Sequence, residues 1–346
     1  MVGQTVGSTG AVAATVKEAT DGAKLYIDWV NERGGVNGQR VDLISLDDKF
    51  DPKLAAANAR TLIVEKEAVT LFFLRGTPHV ELIIPILDEL KVPLVGLSTG
   101  AMLLHSPVKQ YVFNVRSTYQ HKAEKGIGLL AAIGITTIGV LHVDDTFGAD
   151  GLVGVTAGFD AAKLKPAFVG KYDRSKPDFT QFTADVKRTS PQAVFVVGSG
   201  TAVTDALNSI RAVGSQAQMV TLSNNASGGL VNGLGTNARG TIVTQVFPNE
   251  RPIASPLVKE ALTLAKAKHI AEVSPAMLEG FASAKALVEG LRRAGANVCG
   301  EKLRNALETI RGFDIGGMHI SYSATDHTRL EFIDLSIINK DGKFTR

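Results

Sequence analysis

An α/β protein of two alternating halves is what the sequence predicts, each half a parallel sheet covered on both faces by helices. Three observations carry this. Short apolar runs of strand length alternate with helical periodicity from residue 2 to residue 246, the order that makes βαβ crossovers and therefore parallel sheets. The alternation pauses over 105–119, where the helical period lapses, and then resumes. At 346 residues, the chain is too long for one typical core and fits two domains of ordinary size. With 45% apolar and 21% charged residues it is globular rather than disordered.

In the first half, Val2 to Val6 reads as a strand that ends in the flexible loop Gly7-Ser8-Thr9-Gly10. Val16, Ala19, Ala23, Tyr26, Ile27 and Val30 recur at helical spacing, and Gly34-Gly35 stops that helix. Val41 to Leu46 alternates as a strand and runs into Asp47-Asp48. Asp51-Pro52 opens a helix with Ala55, Ala59, Leu62 and Ile63 on its inner face. Strand 69–73, helix 78–90 and strand 93–96 complete three crossovers, and 111–116 adds one more strand. Ser117-Thr118-Tyr119 reads as a hinge or corner.

The second set runs through helix 120–132, strand 137–142, helix 150–163, strand 166–171, helix 178–188 and strand 193–197. Helix 202–213, strand 218–222, helix 227–234 and strand 240–246 continue it, with no clear sequence repeat of the first half. A Pro-punctuated crossover at 247–252 leads to three helices, 254–268, 275–294 and 300–309, without a strand between them. These are expected to pack back on the first sheet. Residues 320–344 read as extended, with Asp341-Gly342 as the turn of a final hairpin. Two open sheets joined by several passes of chain imply a cleft between lobes.

Composition narrows the function. Lys plus Arg at 37 against Asp plus Glu at 34 gives a net charge of +3, too balanced for nucleic acid or an anionic membrane, and basic residues do not cluster with aromatics. Cys299 stands alone, which excludes an intrachain disulfide and a cysteine metal cluster. No apolar run reaches the roughly 18 residues a membrane helix needs. The chain opens into structure at Val2 without a charged start and apolar core, so any export signal is expected to have been removed.

The stretch that organises the first half is Leu74-Arg75-Gly76-Thr77-Pro78, with a partner at Ser98-Thr99-Gly100-Ala101. Gly76-Thr77-Pro78 reads as a helix opening with Thr77 as N-cap and Pro78 at the first helical position. Free backbone N–H groups and the helix dipole there favour a carboxylate or phosphate. Ser98 and Thr99 add hydroxyls, and the small Gly100 and Ala101 leave the backbone open to close approach. Two such turns at strand ends form a receptor for a small anionic group, where open α/β sheets bind ligands; the alternative is a pair of ordinary capped loops.

Gly34-Gly-Val-Asn-Gly38, Asp47-Asp48, Gly76-Thr-Pro78, Ser98-Thr-Gly-Ala101, Asp145-Thr-Phe-Gly148, Gly235 with Gly240, Glu279-Gly280 and Asp341-Gly342 follow one another in a characteristic order. Over essentially its whole length the chain resembles the type I periplasmic solute-binding proteins of ABC importers, in the branched-chain amino-acid (leucine/isoleucine/valine) group. The resemblance implies two Rossmann-like lobes joined by three crossover segments near 117–121, 247–250 and 324–329, with a ligand cleft between them. Lobe 1 would comprise 1–118 plus 249–324, and lobe 2 119–248 plus 325–346. It also implies a periplasmic monomer that closes on a small molecule and delivers it to an ABC permease in the membrane, without a cofactor.

Carried over residue by residue, the family's carboxylate-binding hydroxyl falls on Thr77 and its second anchor loop on Ser98 and Gly100, where Gly100 offers only backbone. The family's acid for the ligand's α-ammonium falls within Ser223-Asn224-Asn225-Ala226, and none of these is acidic. An ammonium closed into a cleft without a counter-charge costs several kcal/mol, so the ligand is expected to lack an α-amino group or to be neutralised from elsewhere. Leucine-type binders place aromatic residues at the positions of Thr15 and of Ser199 or Gly200. Here Phe147 keeps a ring and Tyr119 adds a second at the hinge. The lost rings suggest a ligand bulkier than leucine, an aromatic or branched carboxylic or keto acid, with Phe147, Asn224 and Asn225 as second-lobe contacts. Branched-chain or other amino acids, and a sensor role, are the alternatives.

Other motifs point nowhere. Gly198-Ser-Gly200-Thr-Ala-Val203 lacks the third glycine and the ribose-binding acid of a dinucleotide turn. Ser106-Pro-Val-Lys109 has the Ser-x-x-Lys spacing, but Pro107 breaks the helix that motif needs. The seven His residues show no ligand spacing, so no metal site is expected. Asp47-Asp48 and Asp144-Asp145 sit at strand ends, where caps and loop hydrogen bonds are the usual role, so no catalytic residues are assigned. Arg75 and Arg116 are candidate ligand partners, with surface ion pairs as the favoured reading.

Overall fold

Five consecutive buried residues, Val2–Val6, form β1 in this computed structural model, which describes residues 1–248, 255–328 and 330–345. Helix α1 (Ala13–Asn31) buries every apolar position that the helical spacing selects. Strand β2 (Leu43–Asp47) pairs parallel to β1 with Val2 opposite Leu43. Asp51 caps α2 (Pro52–Arg60), its carboxylate accepting from the amides of Lys53 and Leu54, with Pro52 in the first turn. Then come β3 (Thr70–Phe72), α3 (Thr77–Leu90), β4 (Leu94–Val95) and β5 (Val112–Phe113). These strands form one parallel sheet in the order β2-β1-β3-β4-β5.

Thr118 caps α4 (Tyr119–Ala132) through its hydroxyl. After it the chain alternates through β6 (Ile138–Val143), α5 (Thr146–Ala162), β7 (Phe168–Tyr172), α6 (Thr180–Thr189), β8 (Ala193–Val197), α7 (Thr201–Ala212), β9 (Gln218–Thr221), α8 (Gly228–Leu234) and β10 (Ile242–Gln245). Helix α5 begins four residues before the expected 150. Asp145 Oδ1 accepts from the amides of Phe147 and Gly148, and its other oxygen takes the Arg174 guanidinium. That cap outweighs the weak helix propensity of Gly148 and Gly151.

The expected crossover at 247–252 lies, from 249 on, outside the described residues. Helices α9 (Pro256–Ala267), α10 (Pro275–Ala294) and α11 (Gly300–Leu307) follow. A short hairpin, β11 (Phe313–Asp314) with β12 (His319–Ile320), was not anticipated. Strands β13 (Asp334–Ile338) and β14 (Phe344–Thr345) form the expected final hairpin around Asp341-Gly342. They add antiparallel to β10 and complete a seven-stranded sheet, β14-β13-β10-β9-β8-β6-β7.

The chain divides into two compact units: unit 1 is Met1–Ser117 with Glu250–Phe332, and unit 2 is Thr118–Asn249 with Ile333–Arg346. The third passage between units thus falls after 332 rather than at 324–329. Residues before it are tied to unit 1, since the His327 ring stacks on Phe113 at 4.0 Å and its carbonyl accepts from the Asn114 amide at 2.9 Å.

In unit 1, α10 packs against α1 where glycines replace side chains. A Cβ on Gly280 would stand 1.8 Å from the Ala19 carbonyl oxygen, and one on Gly22 2.0 Å from that of Met277. Glu279, the residue before Gly280, pairs with Arg116 at 2.8 Å. Arg116 is 1% exposed and Arg75 4%, so neither is the surface ion-pair residue that its charge suggested. In unit 2 the same device recurs, with a Cβ on Gly154 of α5 2.2 Å from the Gln120 carbonyl oxygen of α4.

Candidate functional site

Each sheet reverses its winding once. In unit 1 the chain steps from β1 outward to β2 and returns to the other side of β1 as β3. In unit 2 it steps from β6 to β7 and returns as β8. Ligands of open α/β sheets bind outside the carboxyl ends of the strands at such reversals, because the two helices that follow leave on opposite faces and open a crevice.

In unit 1, the residues after β3 are Phe73 to Gly76, and α3 opens at Thr77. Gly76 is the N-cap, not Thr77: it sits at φ 97°, and a Cβ there would meet His79 Nδ1 at 2.3 Å. Displaced into the first turn, the Thr77 hydroxyl lies 2.8 Å from that of Thr99. Both residues are 1% exposed. One hydroxyl proton serves that bond, and the second is available to an acceptor outside it. Ser98 joins the same turn: its amide donates to the Leu74 carbonyl at 2.8 Å, and it bridges Arg75 in parallel fashion. Ala101 is fully buried ahead of a single 3-10 turn, and Gly100 is buried beside it. Thr15 lies buried near the start of α1, the helix that follows β1. The structure therefore brings Thr77, Ser98 and Thr99 together through bonds of their own.

The two acids at the end of β2, Asp47 in the strand and Asp48 just after it, have opposite characters. Burial would raise Asp47, but the Thr9 hydroxyl and the amides of Lys49 and Thr9 outweigh it and hold the carboxyl at about 2. Asp48 is pushed up to about 6, chiefly by burial, against the Phe50 amide and the Thr5 hydroxyl that stabilise its anion. Both are loop-holding groups, and the Asp47 carboxylate accepts from the Ser8 and Thr9 amides that shape the loop after β1.

In unit 2, Tyr119 and Phe147 pack with ring centroids 4.7 Å apart and 57° between planes, so the two expected aromatic residues form one cluster. Ser199 and Gly200 follow β8 at the reversal, and Asn224 and Asn225 follow β9. The asparagines hold the loop. Asn225 Nδ2 donates to the Gly198 carbonyl and the Thr221 hydroxyl, while its Oδ1 accepts from the Gly200 amide at 3.1 Å. Asn224 Nδ2 donates to the Gly198 carbonyl and to Ser199 Oγ. Both amide hydrogens of each are thereby taken, which also fills the turn that resembled a phosphate loop.

Lys122 was missed at the sequence level. It is fully buried in α4, its ammonium donates to Ser223 Oγ at 3.1 Å, and it lies 4.5 Å from the Tyr119 ring centroid. The signal existed: Lys122 and Gly126 share the inward stripe with Ala123, Ile127 and Leu130. Among the described residues no group of three or more His, Cys, Asp or Glu side chains is placed to share a metal ion, and no helix is long and apolar enough to cross a membrane.

With this geometry in place, comparison with known proteins is decisive for the family. A family model described as "Periplasmic binding protein" matches residues 1–342. The chain belongs to the periplasmic binding proteins. This type I binding protein is similar to Leu/Ile/Val-binding protein homolog 3 of Brucella melitensis, at 23% identity over 92% of this chain and 85% of that one. Among solved structures it is similar to a substrate-binding periplasmic protein from Ralstonia solanacearum, at 29% identity and a TM-score of 0.91, covering 99% of this chain and 98% of that one. It is also similar to a possible leucine/isoleucine/valine-binding protein from Rhodopirellula baltica, at 26% identity and a TM-score of 0.91, covering 100% of this chain and 95% of that one. These likenesses span both units, so the α/β architecture is that of the type I binding proteins and the role is solute binding for ABC transport.

Proposed function

We propose that this binding protein works outside the cytoplasm as a monomer, captures a small ligand by its carboxylate and presents it to an ABC permease, without chemical turnover. The observation that carries this is the hydroxyl pair Thr77–Thr99 beside Ser98, set at the reversal point of the unit 1 sheet. A carboxylate there gains a hydroxyl donor and the favourable positive end of the α3 dipole. Tyr119 and Phe147 in unit 2 supply apolar surface for the ligand's body. Capture by closure of the two units belongs to the same reading and depends on the ligand binding the closed form better than the open one. The names of the relatives favour an amino acid as the ligand, in the leucine, isoleucine and valine class.

One observation favours a second reading, an aromatic or branched acid without an α-amino group. Ser223 to Ala226 contains no acid, and the group held against Ser223 is the Lys122 ammonium, a cation. A like charge there disfavours a ligand ammonium.

The test is a thermal-shift panel on protein shown by native mass spectrometry to be ligand-free. It pairs leucine, isoleucine and valine with their keto acids, benzoate and hydroxylated benzoates. Stabilisation by the amino acids supports the first reading, and stabilisation by the amino-free acids alone supports the second. No stabilisation by any carboxylate would remove the assignment. Recovery of chemically altered ligand would make the protein an enzyme.

A further inference from the structure

Unit 1 carries a second concavity that shares no residue with the Thr77 turn. It lies over β1 and β2, on the other side of the sheet reversal from β3 and β4, and holds about 480 Å3. Gln4, Val6 and Ser45 line it from the strands, and Ala13, Val16 and Thr20 from α1. Val6 and Val16 are buried and give it an apolar floor.

Two buried polar groups at this floor are unsatisfied. Gln4 is 0% exposed; its Oε1 accepts from the Ser45 hydroxyl at 2.7 Å, and its Nε2 has no partner. Turning the amide round changes only which of its two polar atoms Ser45 satisfies, so one is left over in either orientation. The Thr20 hydroxyl is buried without a partner as well. Buried amides and hydroxyls are satisfied in the great majority of cases, and exceptions call for a ligand or water. An apolar cavity of this size with a few convergent polar groups is the usual form of a small-molecule site.

The charges lie at the mouth. Lys17 pairs with Asp21 at 2.6 Å, and Lys24 is exposed, while no charged side chain lines the floor. A desolvated ionic head would find no counter-charge inside, so the chemistry selects an uncharged one. A primary amide suits both orientations of Gln4, because it carries a donor and an acceptor side by side.

We propose that this pocket is a second binding site, separate from the carboxylate site, for a small neutral molecule with a compact apolar body and an amide head group. The proposal does not depend on which acid the Thr77 turn takes. The test uses benzamide as the probe and benzoate as its charged counterpart, each titrated into the intact protein while 1H–15N spectra are recorded. Benzamide should give saturable shifts at the Gln4 side-chain amide and along residues 13–20, with the resonances of Thr77 and Thr99 unmoved. Benzoate should bind here about tenfold more weakly, as burial of an unpaired charge requires. Thr20→Val should weaken benzamide about fivefold by removing one hydrogen-bond partner. Ser45→Leu, on the exposed edge strand, should abolish binding by filling the mouth while leaving the rest of the spectrum intact. Shifts that grow linearly without saturating, or that are equal in the Thr20→Val protein, would mean the pocket holds water only and would overturn the proposal.

Discussion

At the sheet reversal of unit 1, the turns after β3 and β4 are tied to each other through side-chain oxygens, Thr77 to Thr99. At the corresponding reversal of unit 2, the turns after β8 and β9 are tied by Asn224 and Asn225, whose amide hydrogens are all spent on Gly198, Ser199 and Thr221. What unit 2 retains at its strand ends and the start of α4 is the Tyr119–Phe147 ring pair and the buried Lys122. The same winding therefore ends in a pair of linked hydroxyls in one unit and in amide-braced loops beside a ring pair in the other. Strand order decides where a crevice lies, and the saturation of its loops decides what it offers.

The largest expected effect lies in a buried ion pair of unit 1. Arg116 and Glu279 form an ion pair at 2.8 Å with side chains 1% and 6% exposed. Glu279→Ala leaves the guanidinium buried without its carboxylate, and losses of this kind cost about 3–5 kcal/mol. Urea unfolding should show that loss. A change below about 1 kcal/mol, the value of an exposed pair, would mean the pair contributes no more than a surface bridge.

Asn225→Ala and Thr77→Ala should separate the two loops. Asn225→Ala removes three hydrogen bonds within unit 2 and should lower stability by about 1–3 kcal/mol, an effect seen in unfolding of the ligand-free protein. Thr77→Ala should weaken carboxylate binding by about 1–3 kcal/mol, measured by calorimetry with whichever acid the thermal panel selects. If Thr77→Ala left affinity unchanged, the receptor would not lie at this turn. An Asn225→Ala protein of unaltered stability and lost affinity would make that residue a ligand contact instead of a loop brace.

Most of the frame was legible because it rests on local rules. The apolar period of α1, the Asp51-Pro52 opening of α2 and the Asp341-Gly342 turn each declare themselves within a few residues. The meeting of the Thr77 and Thr99 turns was also legible, since turns that follow adjacent parallel strands lie side by side. What escaped depends on partners distant in sequence. Arg116 reads as a surface residue until Glu279, 163 positions later, is packed against it. Asn225 reads as a ligand group until the Gly198 carbonyl, 27 residues earlier, takes its proton. The N-cap at Gly76 escaped for another reason: the cap position takes a positive φ and leaves no room for a Cβ beside His79, so glycine occupies it and the preference of threonine for caps yields.

The sharpest probe of unit 1 alone is the split between Asp47 and Asp48. A carboxyl held at about 2, below its ordinary 3.8, binds fewer protons folded than unfolded. Asp47 therefore contributes stability above pH 3.8 that is lost as pH falls toward 2. Asp48, raised to about 6, binds more protons folded than unfolded between 3.8 and 6. Its contribution has the opposite sign: present at low pH and lost as pH rises through that window. Asp48→Asn keeps the shape and removes the titration, so the variant should gain on the wild type as pH rises from 4 to 7. Urea midpoints of both proteins at several pH values in that range measure the difference directly. A constant difference would mean that the Phe50 amide and the Thr5 hydroxyl offset burial, leaving Asp48 ionised as fully in the folded chain as in the unfolded one.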